Sequence, residues 1–320
     1  MSELKDFLNS GGTHAPQINE NTERLDTQIT NPNLLINGEM AIWQRGEDFA
    51  GSLADGYFAD RWQCNGAFTN VQKGSHSLDD VDAASQYVLL FDKSSGASAY
   101  IDQPIETSTL IMNNNTVSFS LVVRDQATLN NLVSVQVINY EKNAAMGSLD
   151  LSAATVKPIG ATTRLHVSGT FNTSAVATTS EHTVFRIEIG TGAMVAGWVN
   201  EVKLELGAGA TPFVPDTPAD ALAKCQRYFY RSTNTETLMV SCWSTPSVYG
   251  SVNAPIAMRK PPIWLFEEAS FFYDGGSFPV TPAVDVASTQ NARFTFNHTA
   301  TVTRTASGWL QTKFSADAEL

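Results

Sequence analysis

An antiparallel β-sandwich is the fold class this sequence predicts, on three observations. Short segments with period-two alternation recur from Asn33 to about Pro215. Charged residues make up only 16% of the chain, against about 25% in an average globular protein, and Thr, Ser, Asn, Ala and Gly stand in their place. No helical periodicity of ordinary length interrupts that stretch.

The strands follow in order. Tyr87–Phe91 is a short apolar run of strand-forming residues. Thr116–Arg124 alternates at Val117, Phe119, Leu121 and Val123, and Val133–Ile138 at Val133, Val135 and Val137. Arg164–Phe171, His182–Ile189 and Gly197–Leu206 complete the set. Many short alternating segments between polar turns read as two antiparallel layers. A turn-rich seam, Gly207–Pro218, follows, and its prolines block strand pairing. Asp216 or Thr217 can cap a short helix over Ala219–Cys225 with Pro218 in its first turn, leading into a strand at Gln226–Tyr230.

Beyond residue 230 a second β-rich region is predicted. Its strands are Leu238–Trp243, Ile263–Phe266, Phe271–Tyr273, Ala292–Phe296, Thr299–Thr305 and Gly308–Phe314. Thr299–Thr305 is polar on both faces and cannot specify its own register, which a packed neighbouring subunit would remedy. The first 32 residues cannot bury a core and read as a disordered arm or a docking peptide. The predicted organisation is an arm over 1–32, a two-layer β-sandwich over 33–217 and a smaller β-domain over 218–320.

Net charge and residue chemistry narrow the function classes. A formal charge of −12 with no basic run opposes nucleic acid and anionic membranes. No apolar run approaches the roughly 20 residues that span a bilayer, and the N-terminus lacks a signal-peptide pattern, so a soluble protein assembled in a reducing cytoplasm is expected. Cys64, Cys225 and Cys242 form no CxxC pair and suit buried free thiols, although Cys225 and Cys242 could pair in an oxidising medium. The five histidines lack metal-ligand spacing, and no hydrolase or nucleotide-binding motif is present. Asp79, Asp80 and Asp82 could hold Ca²⁺ but read better as a solvated acidic loop, so no cofactor is expected. Glu201, Glu205, Asp55 and Asp60 give no pattern of paired catalytic carboxylates, so no enzyme is expected.

Two separated motifs carry a resemblance. The first is Asn33-Leu-Leu-Ile-Asn-Gly-Glu-Met-Ala-Ile-Trp-Gln-Arg45 followed by Asp60-Arg-Trp62. The second is Lys203-Leu-Glu-Leu-Gly207, Thr211-Pro-Phe213 and Cys225-Gln-Arg-Tyr-Phe229. Together they resemble the opening strand, closing strand and bridge of a carbohydrate-binding-module-like jelly roll in bacteriophage tail-fibre and appendage proteins. The closing Phe314–Leu320 resembles the final strand of a trimerising tip domain in such fibres.

The resemblance implies a virion appendage that attaches to the host surface, by a glycan or a surface protein. It implies a homotrimer anchored to a tail or capsid protein through residues 1–32. An architectural head fibre, decoration or collar part would share the same fold, and a polysaccharide-degrading fibre is a more distant alternative. On the residues themselves, Trp43 and Trp62 suit core anchors, Asp60 beside Arg61 suits a locally fixed turn, and Arg227 beside Tyr228 and Tyr230 suits stacking at the seam. Tyr249 in its Ser, Gly and Asn setting, with Trp243 and Asn253, is the candidate ligand-binding group.

Overall fold

The computed structural model describes residues 32–50, 56–75, 86–106, 114–140, 143–160, 162–174, 182–242, 247–273, 276–297 and 307–319. The predicted docking arm, the Asp79–Asp82 loop, Trp243 and the Thr299–Thr305 strand fall outside them. The chain is mostly β and forms two compact units. The first comprises 32–41, 48–58 and 62–215 of the described range; the second comprises 42–47, 59–61 and 216–319.

The first unit is a sandwich. Its strands are β1 (Asp48–Ala50), β2 (Gly56–Tyr57), β3 (Gln63–Asn65), β4 (Phe68–Ser75), β5 (Tyr87–Lys93), β6 (Ala99–Pro104), β7 (Thr116–Val123), β8 (Leu132–Asn139), β9 (Ala144–Asp150), β10 (Thr155–Pro158), β11 (Leu165–Asn172), β12 (Thr183–Ile189) and β13 (Met194–Leu206). One sheet runs β1-β4-β5-β13-β7-β11-β10 and the other β2-β3-β6-β12-β8-β9, with every pairing antiparallel. The alternating residues predicted to face inward do so with one exception: Val117, Phe119, Leu121 and Val123 are fully buried, as are Val135 and Val137, but Val133 is 40% exposed, at the start of β8 where the register with β12 slips. A six-residue helix, α1 (Gln126–Asn131), interrupts the β pattern. Asp125 caps it by accepting from the Thr128 amide at 2.7 Å, a local signal too short to register as helical periodicity.

The sequence motifs of this unit meet at β13. Asn33–Gly38 is not a ladder strand: it runs through bends into a turn at Gly38, with Asn37 at φ 56°. It is held by side chains and by the irregular middle of β13, where Glu201 has φ 51°. Asn33 Nδ2 donates to the Val202 carbonyl (3.1 Å), and Asn33 Oδ1 accepts from the Leu204 amide (3.1 Å). The Leu34 amide donates to Leu204 (2.8 Å) and the Val202 amide to Gly38 (2.8 Å). Gln103 imitates a strand partner: its amide group accepts from the Ile36 N–H (2.7 Å) and donates to the Ile36 carbonyl (2.8 Å). A Cβ on Gly38 would collide with the Val202 carbonyl, so only glycine fits this close approach.

Lys203 and Glu205, two residues apart on one face of β13, are both buried and form an ion pair at 3.0 Å. Glu205 also accepts from the amide and hydroxyl of Thr211, and Lys203 donates to the Thr211 hydroxyl and the Pro212 carbonyl. The Lys-Leu-Glu-Leu-Gly and Thr-Pro-Phe motifs are thus one buried polar knot that folds the run-out back onto β13.

The second unit begins with α2 (Pro218–Gln226), capped by Thr217, whose hydroxyl accepts from the Asp220 amide. The helix runs to Gln226, so the strand after it is shorter than predicted: β14 (Phe229–Arg231). Then come β15 (Glu236–Cys242), β16 (Ser247–Asn253), β17 (Ile263–Tyr273), β18 (Gly276–Pro279), β19 (Ala283–Ala287), β20 (Asn291–Asn297) and β21 (Ser307–Asp317). The two strands expected at Ile263–Phe266 and Phe271–Tyr273 are one. An extra residue, with Glu268 at φ 51°, bulges the strand and restores the alternation beyond it.

These strands form one eight-stranded sheet in the order β18-β17-β21-β15-β16-β20-β19, with β14 also on β21. Strands β17 and β20 are four spacings apart in that order, which is roughly 19 Å in a flat sheet. Yet Phe266 of β17 lies 4.9 Å from Phe294 of β20, and Phe271 lies 5.3 Å from Phe296. The sheet therefore curls so that its inner face closes on itself around Phe271, Phe294, Phe296, Leu310 and Phe314.

Breaking the Lys203–Glu205 pair tests this reading. Lys203→Met leaves a buried carboxylate without its cation and should cost about 3–5 kcal/mol in denaturant unfolding. Lys203→Met with Glu205→Leu should recover part of that loss. A near-neutral single variant would show that the knot does not hold the run-out.

Candidate functional site

The remaining motif residues gather in the second unit as a cluster of charges and rings. Asp60 is fully buried and accepts from the Gln44 amide (3.2 Å) and Gln44 Nε2 (2.5 Å). Arg45 lies 3.6 Å from Asp60, 3.2 Å from Asp317 and 3.8 Å from Glu319. Its guanidinium covers the Phe229 ring at 3.6 Å. Arg61 pairs with Glu319 and covers the Tyr228 ring at 3.6 Å, with the Arg259 guanidinium at 5.8 Å.

Asp60 therefore binds Gln44 and Arg45 on a nearby segment, while Arg61 binds Glu319, 258 positions away, although the two residues adjoin in sequence. The guanidinium that stacks closely on Tyr228 comes from Arg61. The Arg227 carbonyl accepts from the Arg259 amide at 2.7 Å. Trp43 and Trp62 are buried, and the Trp62 indole N–H donates to the Asn37 carbonyl (2.9 Å). Such burial marks these residues as supports of the fold, remote from any ligand in solution. All three cysteines are free and buried, and burial pushes the thiols of Cys64 and Cys225 well above their usual range.

Exposed chemistry lies on the outer face of the same curled sheet. Trp309 stacks on Phe272 across β21 and β17, with centroids 6.0 Å apart and planes within 8°. Met239 pairs with Trp309 from the other side and is 71% exposed. Ile263 (71%) and Leu265 (57%) form a second exposed apolar patch farther along β17, separated from the first by Glu267, Ser270, Gln311 and Lys313.

Next to the first patch, β16 and β20 present Tyr249 opposite Ser241 and Thr295, Ser251 opposite Arg293, and Asn253 opposite Asn291. Arg293 pairs with Asp285, and its guanidinium lies 6.0 Å from the Tyr249 ring. Tyr249 is half-buried and Asn253 exposed. The sequence signalled Tyr249 through its small polar neighbours. It gave no sign of the exposed apolar patches, because Met239, Leu265 and Trp309 come from three separate strands.

Among the described residues, no group of His, Cys, Asp and Glu is arranged to hold a metal ion, and no helix is long and apolar enough to cross a membrane.

No protein-family model matches this chain, and no curated protein matches it. Solved structures that it resembles include a cyclase from Fischerella sp. TAU, at 10% identity and a TM-score of 0.37, over 56% of this chain and 99% of that one. Another is the enzymatically active domain of bacteriophage CBA120 tailspike protein 4, at 12% identity and 0.33, over 55% and 21%. A third is the CBM22-1–CBM22-2 tandem domain of Paenibacillus barcinonensis Xyn10C, at 12% and 0.31, over 85% and 99%. Similarity this low carries no statement about activity, and the functional reading rests on the chain's own residues.

The buried cluster has a pH signature. Burial lifts Asp60 from 3.8 to about 6, against the opposing pull of Gln44 and Arg45. The folded state then binds this proton more tightly than the unfolded chain. The stability contributed by Asp60 is complete below about pH 4 and is lost as pH rises through about 6, a swing of roughly 3 kcal/mol at most. In denaturant titrations the wild type should gain on Asp60→Asn as pH falls from about 7 to about 4. Parallel profiles for the two proteins would contradict the assignment.

Proposed function

We propose that this chain is the attachment part of a virion appendage, a trimeric fibre-type protein that meets a glycan on the host surface without catalysis. One observation carries the reading. The second unit buries one face of its sheet in its own core and presents on the other two exposed apolar patches, one of them beside a region rich in ring, hydroxyl and amide groups. An apolar patch this exposed marks a surface made for contact.

The two parts of the face divide the work. Ile263, Leu265, Met239 and Trp309 are covered by neighbouring copies of the chain. Tyr249, Ser251, Asn253 and Arg293 stay open and contact the sugar, the ring by stacking and the polar groups by hydrogen bonds. The motif resemblance to phage fibres supports the setting: residues 1–32 dock on a tail or capsid protein, and the second unit points to the host. Each contact is weak, and three linked copies raise the effective concentration of the others.

Light scattering on the full chain should give a trimer, and Leu265→Asp with Met239→Asp should shift it to monomer. A wild-type monomer at micromolar concentration would overturn the assembly. Fluorescently labelled protein should bind host cells, with Tyr249→Ala and Arg293→Ala each weakening binding about five- to tenfold, the equivalent of one good contact. An intact oligomer that binds no host cell would favour a purely architectural role in the virion.

A further inference from the structure

The seven-stranded sheet of the first unit ends in a thin flap. Strand β10 meets β11 through four residues, all exposed: Thr155 opposite Ser168, Val156 opposite Val167, Lys157 opposite His166 and Pro158 opposite Leu165. Among the described residues no strand lies along its other edge. Lysine and proline on an edge strand discourage foreign strands, but they leave β10 with little to hold it. Beyond Pro158 the Ile159 amide donates to the Arg164 carbonyl (3.0 Å), and the Thr162 hydroxyl donates to the Ile159 carbonyl (2.7 Å) at the turn.

The flap covers an apolar surface. Leu121 and Val123 of β7 point into the core, so Val122 between them points outward. There it joins Val88 and Trp198 in a small apolar cluster, with Trp198 opposite Leu90 on the neighbouring strand. Ile159, at the turn of the flap, packs on this cluster together with Leu90. Trp198 is only 8% exposed under that cover.

The row that joins the flap to the sheet contains a histidine facing a cation. His166 stands between Lys157 of β10 and Val122 of β7, and Val122 faces Asn200 of β13. On the same face, the neighbours of His166 along β11 are Arg164 and Ser168, and those along β7 are Ser120 and Arg124. Arg124 donates to the Ala196 carbonyl (3.0 Å) and lies 3.7 Å from Asp125. On β13, Lys203 pairs with Glu205, and Glu201 sits in the bulge next to Asn200. Burial, and after it the charge of Lys157, push the His166 imidazole below its usual 6.5. The closed flap therefore takes up this proton less readily than the unfolded chain. The stability contributed by neutral His166 is complete above about pH 6.5 and is lost as the pH falls through that value and below it.

We infer that the β10 flap is released by acid: protonated His166 repels Lys157, β10 leaves β11, and Ile159 uncovers the apolar surface around Trp198. Like charges directly opposite each other on paired strands are destabilising, and here only a short edge strand resists them. The device links exposure of an apolar surface to the mildly acidic range in which histidine titrates. It goes beyond the attachment reading, because it requires neither a trimer nor a host-cell contact.

The test is hydrogen–deuterium exchange of the full chain between about pH 7.5 and about pH 5, with each amide rate divided by its rate in the unfolded chain. The Ile159 amide should lose protection as the pH falls, while the amides of β5 and β13 keep theirs. His166→Gln should hold the flap closed throughout, and Lys157→Met, at an exposed position, should weaken the acid response. Acrylamide quenching reports the uncovering. The tryptophan emission that Trp198→Phe removes should be shielded at the upper pH and quenched at the lower, and Ile159→Ser should admit the quencher at both. Constant protection of the Ile159 amide, an equal loss in wild type and both charge variants, or a loss shared with β5 and β13 would overturn the proposal. So would an opened flap with Trp198 still shielded. If His166→Gln unfolds, Lys157→Met alone separates repulsion at this pair from a general loosening in acid.

Discussion

The irregular middle of β13 is the constraint on which the first unit depends. A regular strand would satisfy its backbone groups with its two neighbours. The bulge turns the Val202 amide and the Val202 and Leu204 carbonyls toward Asn33, Leu34 and Gly38. A buried backbone group without a partner costs free energy comparable to a lost hydrogen bond. The segment that fills this position must therefore offer an amide side chain at Asn33 and no side chain at Gly38. Just beyond the bulge, Lys203 and Glu205 lie too deep to be hydrated, so Thr211 and Pro212 must come back to saturate them.

The second unit meets the same kind of requirement with different chemistry. Arg45 and Arg61 are nearly buried cations, each shared between a carboxylate and an aromatic ring. Planar guanidinium groups suit that arrangement, because they stack and hydrogen-bond at once, which lysine cannot do. These residues are consumed by the fold. The exposed chemistry is left to sheet faces, where side chains point outward without disturbing the ladder beneath them.

The same distinction explains what was legible in the sequence. Strands such as Thr116–Val123 and Thr183–Ile189 announce themselves, because their alternation is local and one face is largely apolar. Strands β16 and β19 lack that contrast: β16 is built largely of Ser, Gly and Asn, and β19 is exposed throughout. The resemblance implies an opening strand from Asn33, but the partners of this segment lie about 170 positions away and are partly side chains. Arg61 and Glu319 are 258 positions apart, and Asp102 and Arg186 are 84 apart. Neither pairing could be inferred without the register of the sheets. The candidate Tyr249 was legible from its small polar neighbours, while the ion pair of Asp102 with Arg186 exists only once β6 and β12 are side by side.

Hydrogen–deuterium exchange of the full chain, resolved to single amides, tests the role of β13 most directly. The amides of Leu34, Val202, Leu204 and Thr211 should exchange as slowly as those of the core strands β7 and β12, opening only with the whole first unit. Exchange of these four on the timescale of frayed loops, with β7 and β12 still protected, would contradict the claim that the motifs close the sandwich at β13.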